Sequence, residues 1–327
     1  VKKPISIVRL LALLGLLSAC ESVSYAREWT GKLKQNAASS FRAKQDDPSY
    51  ARAKLKLSSG FGEGNVVYSP TSAMLTDFVY SHRLGDYSFY VNNALNAEDG
   101  VFKICSKSVV ASTNEVEETR REDYLAHGVD VYVGAIPALE ASLADHFGQK
   151  VTLNGNPGDY VLSKLTLDDR FPLPLREKSL PFEGQGSFTY ASYTGVGLYA
   201  SEETYSAVTI RIGQTSLAFF LPKDGIELKE FNTDFILSSS WKEGRVSATA
   251  PQFSISSSHR DTEESREIVQ DCRFDFNRYG VHGEAFTING PTAMSPEYDF
   301  SLTLDRPFFF LSSYRNLPIF IGQVTKL

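Results

Sequence analysis

Methionine, tryptophan and cysteine are scarce in this chain, with two, two and three copies in 327 residues. Three cysteines cannot build the dense disulfide framework of a small secreted scaffold. Five histidines (82, 127, 146, 259 and 282) are scattered and have no metal-ligand spacing. Basic residues are not in excess: 33 Lys and Arg stand against 39 Asp and Glu, so nothing favours nucleic acid or an anionic lipid surface electrostatically. No apolar run reaches the ~20 residues that a membrane-spanning helix needs. Phosphate-binding loops, dinucleotide fingerprints, paired-histidine zinc motifs and Gly-x-Ser-x-Gly elbows are all absent.

What is abundant is aromatic: 22 Phe and 16 Tyr, within a 42% apolar composition. That is ample for a packed core and favours strands, where aromatic side chains fit the pleated surface. Ser239-Ser240-Trp241-Lys242 has the Ser-x-x-Lys spacing of penicillin-binding enzymes without the companion Lys-Thr-Gly. No enzyme and no cofactor is therefore expected.

At the N-terminus, Lys2, Lys3 and Arg9 flank an apolar stretch, Leu10 to Leu17, followed by Leu17-Ser18-Ala19-Cys20. This resembles the lipobox of bacterial lipoproteins, which implies a signal peptide over residues 1–19 and lipidation of Cys20. An ordinary secretory signal ending near Ala19 is the alternative. Glu21, where an inner-membrane retention signal would have Asp, points to an outer-membrane or surface location. Loss of residues 1–19 would leave 30 basic against 39 acidic side chains. Cys105 and Cys272 are expected as two thiols, with pairing left open.

Residues 20–59 read as a polar tether with one amphipathic helix near Tyr25 to Phe41, ahead of a single domain over 60–327. Ser69-Pro70 predicts a helix start, with Ser as N-cap and Pro at the first helical position. That helix runs through Leu75, Phe78 and Val79 towards Gly85. Residues 86–125 show no regular pattern, and Glu115 to Asp123 reads as a solvated helix face or a loop. Val129 to Val133 alternates like a strand. Leu139, Leu143 and Phe147 form a helical stripe closed by Gly148. From Asp159 the pattern is mostly β: 161–167, 189–199, 207–212, 217–221, 246–255, 273–288, 308–311 and 319–324, with a hairpin turn at Gly213-Gln214. Helices early and strands late predict an α+β domain.

Several segments, in order, resemble the serpins. Asn65-Val-Val-Tyr-Ser69-Pro70-Thr-Ser72 is similar to the strand-to-helix segment of the serpin shutter, and Gly85 falls near a glycine which that family keeps after the helix. Val161 to Leu175 is similar to its strand-and-breach segment. Ala218-Phe-Phe-Leu-Pro222-Lys-Asp-Gly225, Val246 to Phe253 and Asp305 to Val324 are similar to later strands and the closing hairpin. The resemblance implies three β-sheets, about nine helices and a monomer carrying an exposed reactive loop as protease bait. It assigns Ser69, Ser72, Ser163, Phe171 and His282 to the shutter and breach, with Ser163 in place of an asparagine and Phe171 in place of a tryptophan. The partner it implies is a serine or cysteine protease, which cleaves the loop; the loop then enters the large sheet as a new strand and drags the attached protease with it.

Val281 to Ile288 resembles the strand before that loop. The connector then spans Asn289 to Leu304, with Gly290, Pro291, Thr292, Ala293, Met294, Ser295, Pro296, Glu297 and Tyr298 as loop residues. An arm from Gly290 to Tyr298 would extend only about 30 Å, and one ending at Met294 about 17 Å. Pro291 and Pro296 each lack the N–H that a central strand uses. Two readings stay open, an envelope-anchored protease inhibitor and a serpin-fold binding protein whose short loop does not insert; between them lies reversible loop-in-cleft inhibition without insertion, with Met294, Tyr298 and Phe300 as contact residues.

Overall fold

The computed structural model describes residues 46–228, 235–238, 240–263, 266–281 and 298–327. Cys20, the helix expected near Tyr25 to Phe41, Ser239, His282 and Gly290 to Glu297 lie outside the described residues. One compact unit spans Arg42–Leu327. It begins earlier than the expected boundary at residue 60, because a helix, α1 (Pro48–Ser59), belongs to its core. Asp47 caps α1 by accepting Ser49 N–H at 2.9 Å, and Ala53 and Leu57 pack with Val66, Tyr68, Phe309 and Ile321. Its buried stripe is mostly small residues, Ser49 and Ala53 before Leu57, which gives weak periodicity in a sequence.

Helix α2 (Pro70–Tyr80) starts where Ser69-Pro70 predicts, the Ser69 hydroxyl accepting Ser72 N–H at 3.2 Å. It stops before Gly85, because His82 adopts φ 56 and turns the chain into α3 (Leu84–Tyr90). A π-helical turn, Val91–Leu95, follows. The charged stretch is helix α4 (Glu118–Ala126), which buries only Tyr124. Helix α5 (Ile136–Phe147) buries Leu139, Leu143 and Phe147, the predicted stripe. A single turn, α6 (Phe235–Ser238), completes the helices among the described residues.

Among the described residues the strands form two sheets. The first has nine: β1 (Val66–Tyr68), β16 (Leu317–Val324), β15 (Phe308–Tyr314), β9 (Thr215–Pro222), β8 (Tyr205–Ile212), β7 (Gly186–Ser201), β10 (Lys242–Pro251) and β14 (Phe300–Thr303) in that order, with β6 (Arg176–Phe182) also on β7. The second has seven: β11 (Phe253–Glu263), β12 (Arg266–Asn277), β13 (Gly280–Val281), β5 (Asp159–Arg170), β3 (Phe102–Ser112) and β2 (Ala97–Asp99), with β4 (Val129–Val133) parallel to β3. Pairing joins the described strands into two sheets where three are expected because β7, 16 residues long, is shared: β6 pairs with its residues 186–192, β10 with 190–199 and β8 with 198–201. Gly213 and Gln214 form the predicted turn between β8 and β9.

Phenylalanines fill the space between the sheets. Phe274 of β12 stacks on Phe310 of β15 with centroids 4.8 Å apart, and Phe253, Phe276, Phe219 and Phe308 extend the cluster. Helix α5 covers the outer face of β3 and β5 through Val109, Ala111 and Leu162.

Two boundaries differ from the sequence expectation. The strand beside β11 is β12, ending at Asn277, with Cys272, Phe274 and Phe276 alternately buried. The chain then turns over Arg278 and Tyr279, so Val281 does not continue the same strand but begins a new one antiparallel to it. At the other end, Phe300–Thr303 is itself a strand, parallel to β10. The connector between β12 and β14 is therefore the 22 residues from Arg278 to Asp299, not the short Asn289 to Leu304.

Candidate functional site

Ser69 stands at the junction of β1 and α2, fixed by its own capping chemistry. Its hydroxyl accepts Ser72 N–H and donates to Ile319 O of β16 at 2.7 Å. Its main chain is held from β12: Gln270 Oε1 accepts Ser69 N–H at 2.8 Å, and Gln270 Nε2 donates to Ser69 O at 2.9 Å. Ser72 Oγ reaches the carbonyl of Ser163 on β5 at 3.4 Å, and Ser163 Oγ lies 2.7 Å from Ser108 Oγ on β3. Ser69, Ser72 and Ser163 are thus brought together as one polar cluster tying α2 to β3, β5 and β12. Gln270 and Ser108 complete it and carry no local sequence signal. Gln270 occupies the β12 position facing Ser69, twelve residues before His282, which the resemblance assigns to the shutter and which lies outside the described residues.

Cys272, two residues along the inward face of β12, donates to the same Gln270 Oε1 at 3.1 Å. Burial pushes its thiol up to about 12. Cys105 and Cys272 are both free thiols.

Phe171 lies apart from the serines, buried at the end of β5. Here β13 enters between β12 and β5, antiparallel to both. Among the described residues no other strand joins β12 to β5. Phe171 N–H donates to Tyr279 O at 2.7 Å, and Leu175 N–H to Arg278 O at 2.8 Å, fastening the turn that precedes β13. Arg278 Nη1 pairs with Glu177 Oε2 at 2.8 Å, while Gln252 Nε2 donates to the other Glu177 oxygen at 2.8 Å and Gln252 Oε1 accepts Arg278 N–H at 3.2 Å. This link binds the turn to β6. Tyr298 is half-buried just ahead of β14. Phe300 stacks on Tyr199 at 5.0 Å and 11°, which removes it as bait. Trp241 packs its ring against Phe220 at 5.7 Å, next to an exposed Lys242 that opens β10. No group of metal-ligating side chains occurs among the described residues.

No family model matches the chain, and no curated protein does. Solved structures match it closely in shape. Tengpin, a thermophilic serpin in its native state, superposes with a TM-score of 0.70 at 16% identity, over 86% of this chain and 93% of that one. The chain has the serpin fold. Serpin48 of the insect Tenebrio molitor gives a TM-score of 0.67 at 14% identity, over 86% of this chain and 96% of that one. Human thyroxine-binding globulin gives 0.65 at 12%, over 85% and 96%. Two features of this fold stand out in the chain: the serine cluster under α2, and β13 paired between β12 and β5.

Proposed function

We propose that this chain is a serpin-type inhibitor of serine or cysteine proteases, exported and held at the bacterial envelope by lipid on Cys20. The observation that carries the reading is the register of β13. Gly280 faces Arg170 and Asn277, and Val281 faces Asp169 and Phe276. Continued in that register, residues 282–290 would run antiparallel along both neighbours, and Pro291 would come opposite Asp159 and Arg266, where β5 and β12 begin. The nine residues from His282 to Gly290 contain no proline, so Pro291 would fall at the last position of the ladder and Pro296 beyond it, clear of the central positions that reject proline. A protease attached beyond Pro291 would then be carried the full length of the sheet. Met294, the large apolar residue between Pro291 and Pro296, is the proposed contact residue, and Thr292 to Asp299 bounds the scissile bond.

A non-trapping binding role is the second reading. It is favoured by the likeness to thyroxine-binding globulin, which has been solved with thyroxine bound. Mixing protein lacking residues 1–19 with serine and cysteine proteases distinguishes the two. A denaturation-resistant adduct cut between Thr292 and Asp299 is expected; cleavage that leaves every protease active would sink the inhibitor reading.

A further inference from the structure

Asp169 is fully buried and has no cationic partner among the described residues. One oxygen, Oδ2, accepts Gln214 N–H at 2.9 Å, Thr215 N–H at 2.7 Å and Thr215 Oγ1–H at 2.8 Å, all from the turn between β8 and β9. The other, Oδ1, is buried without a hydrogen-bond partner. This side chain thus crosses from one sheet to the turn of the other at the level where Val281 enters. Space is tight on both sides. A Cβ on Gly213 would collide with Asp169 Oδ1, and a Cβ on Gly280, at φ 147, with Asp169 O.

The surroundings contain few charges. On β5 itself, Asp168 and Arg170 pair with each other at 3.5 Å. β3 offers Phe102 opposite Asp169 and Lys103 opposite Asp168. Tyr314 and Arg315, at the end of β15, are the titratable and charged groups on that side; the Tyr314 phenol is raised, first by burial, with Asp169 contributing. Asp99 of β2 accepts from Gln214 Nε2 at 3.5 Å. The β8–β9 turn and β13 offer no titratable group beside it.

We propose that Asp169 is a proton-operated latch: protonated, it closes the joint between β5 and the β8–β9 turn beneath β13, and ionised, it favours opening of that joint. A lone buried carboxylate charge has only amide and hydroxyl dipoles to offset the water it has lost. The orphan Oδ1 provides the protonation site without disturbing the bonds to Oδ2. Burial raises the carboxyl from 3.8 to about 7, against the lowering effect of its donors. The sign follows: the closed joint binds the proton more tightly than the open one. Its advantage is full below the ordinary carboxylate range, declines as pH rises towards 7, and is constant above. This latch operates whether or not the chain traps a protease.

Hydrogen exchange at the Gln214 and Thr215 amides, corrected for intrinsic pH dependence, reads the opening directly. In the full chain, opening should increase with pH up to neutrality, by as much as tenfold per pH unit, and level off above it. Asp169→Asn should remove that slope. Thr215→Val, which takes one donor from the ionised form and leaves the carboxyl in place, should move the plateau to higher pH. If Asp169→Asn does not fold, the Thr215→Val shift decides alone. An identical slope in both variants and wild type, or an Asp169 carboxyl that titrates below pH 5 by carbon NMR, would overturn the latch.

Discussion

Gln270 holds both main-chain groups of Ser69, a residue that is only 2% exposed. Truncating it strips the buried Ser69 N–H of its partner, while Ser69 O keeps the Ala73 N–H at 3.1 Å, and orphaning one buried donor costs about 1–3 kcal/mol. Gln270→Ala should therefore lower unfolding free energy by about 1–3 kcal/mol in urea titrations, while a substitution at exposed Lys242 should change it little. An effect below about 0.5 kcal/mol would mean that water replaces the amide. Ser69 and Ser72 are legible in the sequence because capping is local and acts, with Pro70, within one turn, whereas Ser163 enters through the family resemblance and Ser108 through neither. Gln270 is not, since its partner lies 201 residues away and a glutamine has no pattern of its own. A search for a histidine at this place finds His282, on the far side of the turn over Arg278 and Tyr279.

Elements were legible where burial follows a period. Helix α5 carries Leu139, Leu143 and Phe147 at four-residue spacing, and the structure lays that stripe on β3 and β5. Leu143 is completely buried there. Leu143→Ala should cost about 2–5 kcal/mol of stability without changing the denaturant slope, since it leaves a cavity and no new fold. A cost under 1 kcal/mol would show that α5 sits loosely on the sheet. β3 was missed for a physical reason. Its inward face runs Phe102, Ile104, Ser106, Ser108, and buried serines interrupt the alternation that marks a strand. Ser108 is inside because it meets Ser163, a tertiary fact. β12 was misread in extent: Cys272, Phe274 and Phe276 alternate as a strand should, but the next apolar residues continue the pattern through a reversal of direction.

At the scale of the whole molecule, the order of segments was enough to suggest the serpin fold, since each strand keeps its sequence position in the two sheets. The length of the loop was not readable, because it depends on where β12 stops, and only pairing with β11 and β13 fixes that at Asn277. The correction changes the mechanical argument. An arm starting at Gly290 is too short to cross a sheet, whereas one starting at Gly280 and continued in the proposed register would reach the far end of β5 at Pro291. In the continued register Ala285 would lie midway, opposite Leu165 on one side and Cys272 on the other. A proline there would remove a ladder hydrogen bond from the centre of the new strand and set its ring against a neighbour. Insertion would stall with the protease still attached near the loop, giving time for the acyl bond to hydrolyse. Ala285→Pro should therefore turn adduct into cleaved product, whereas Pro291→Ala, at the end of the slot, should leave the adduct fraction unchanged. Denaturing gels of the two variants beside wild type make the comparison. Equal adduct from Ala285→Pro would mean that the arm does not travel between β12 and β5 at all, and any trapping would then need a different origin.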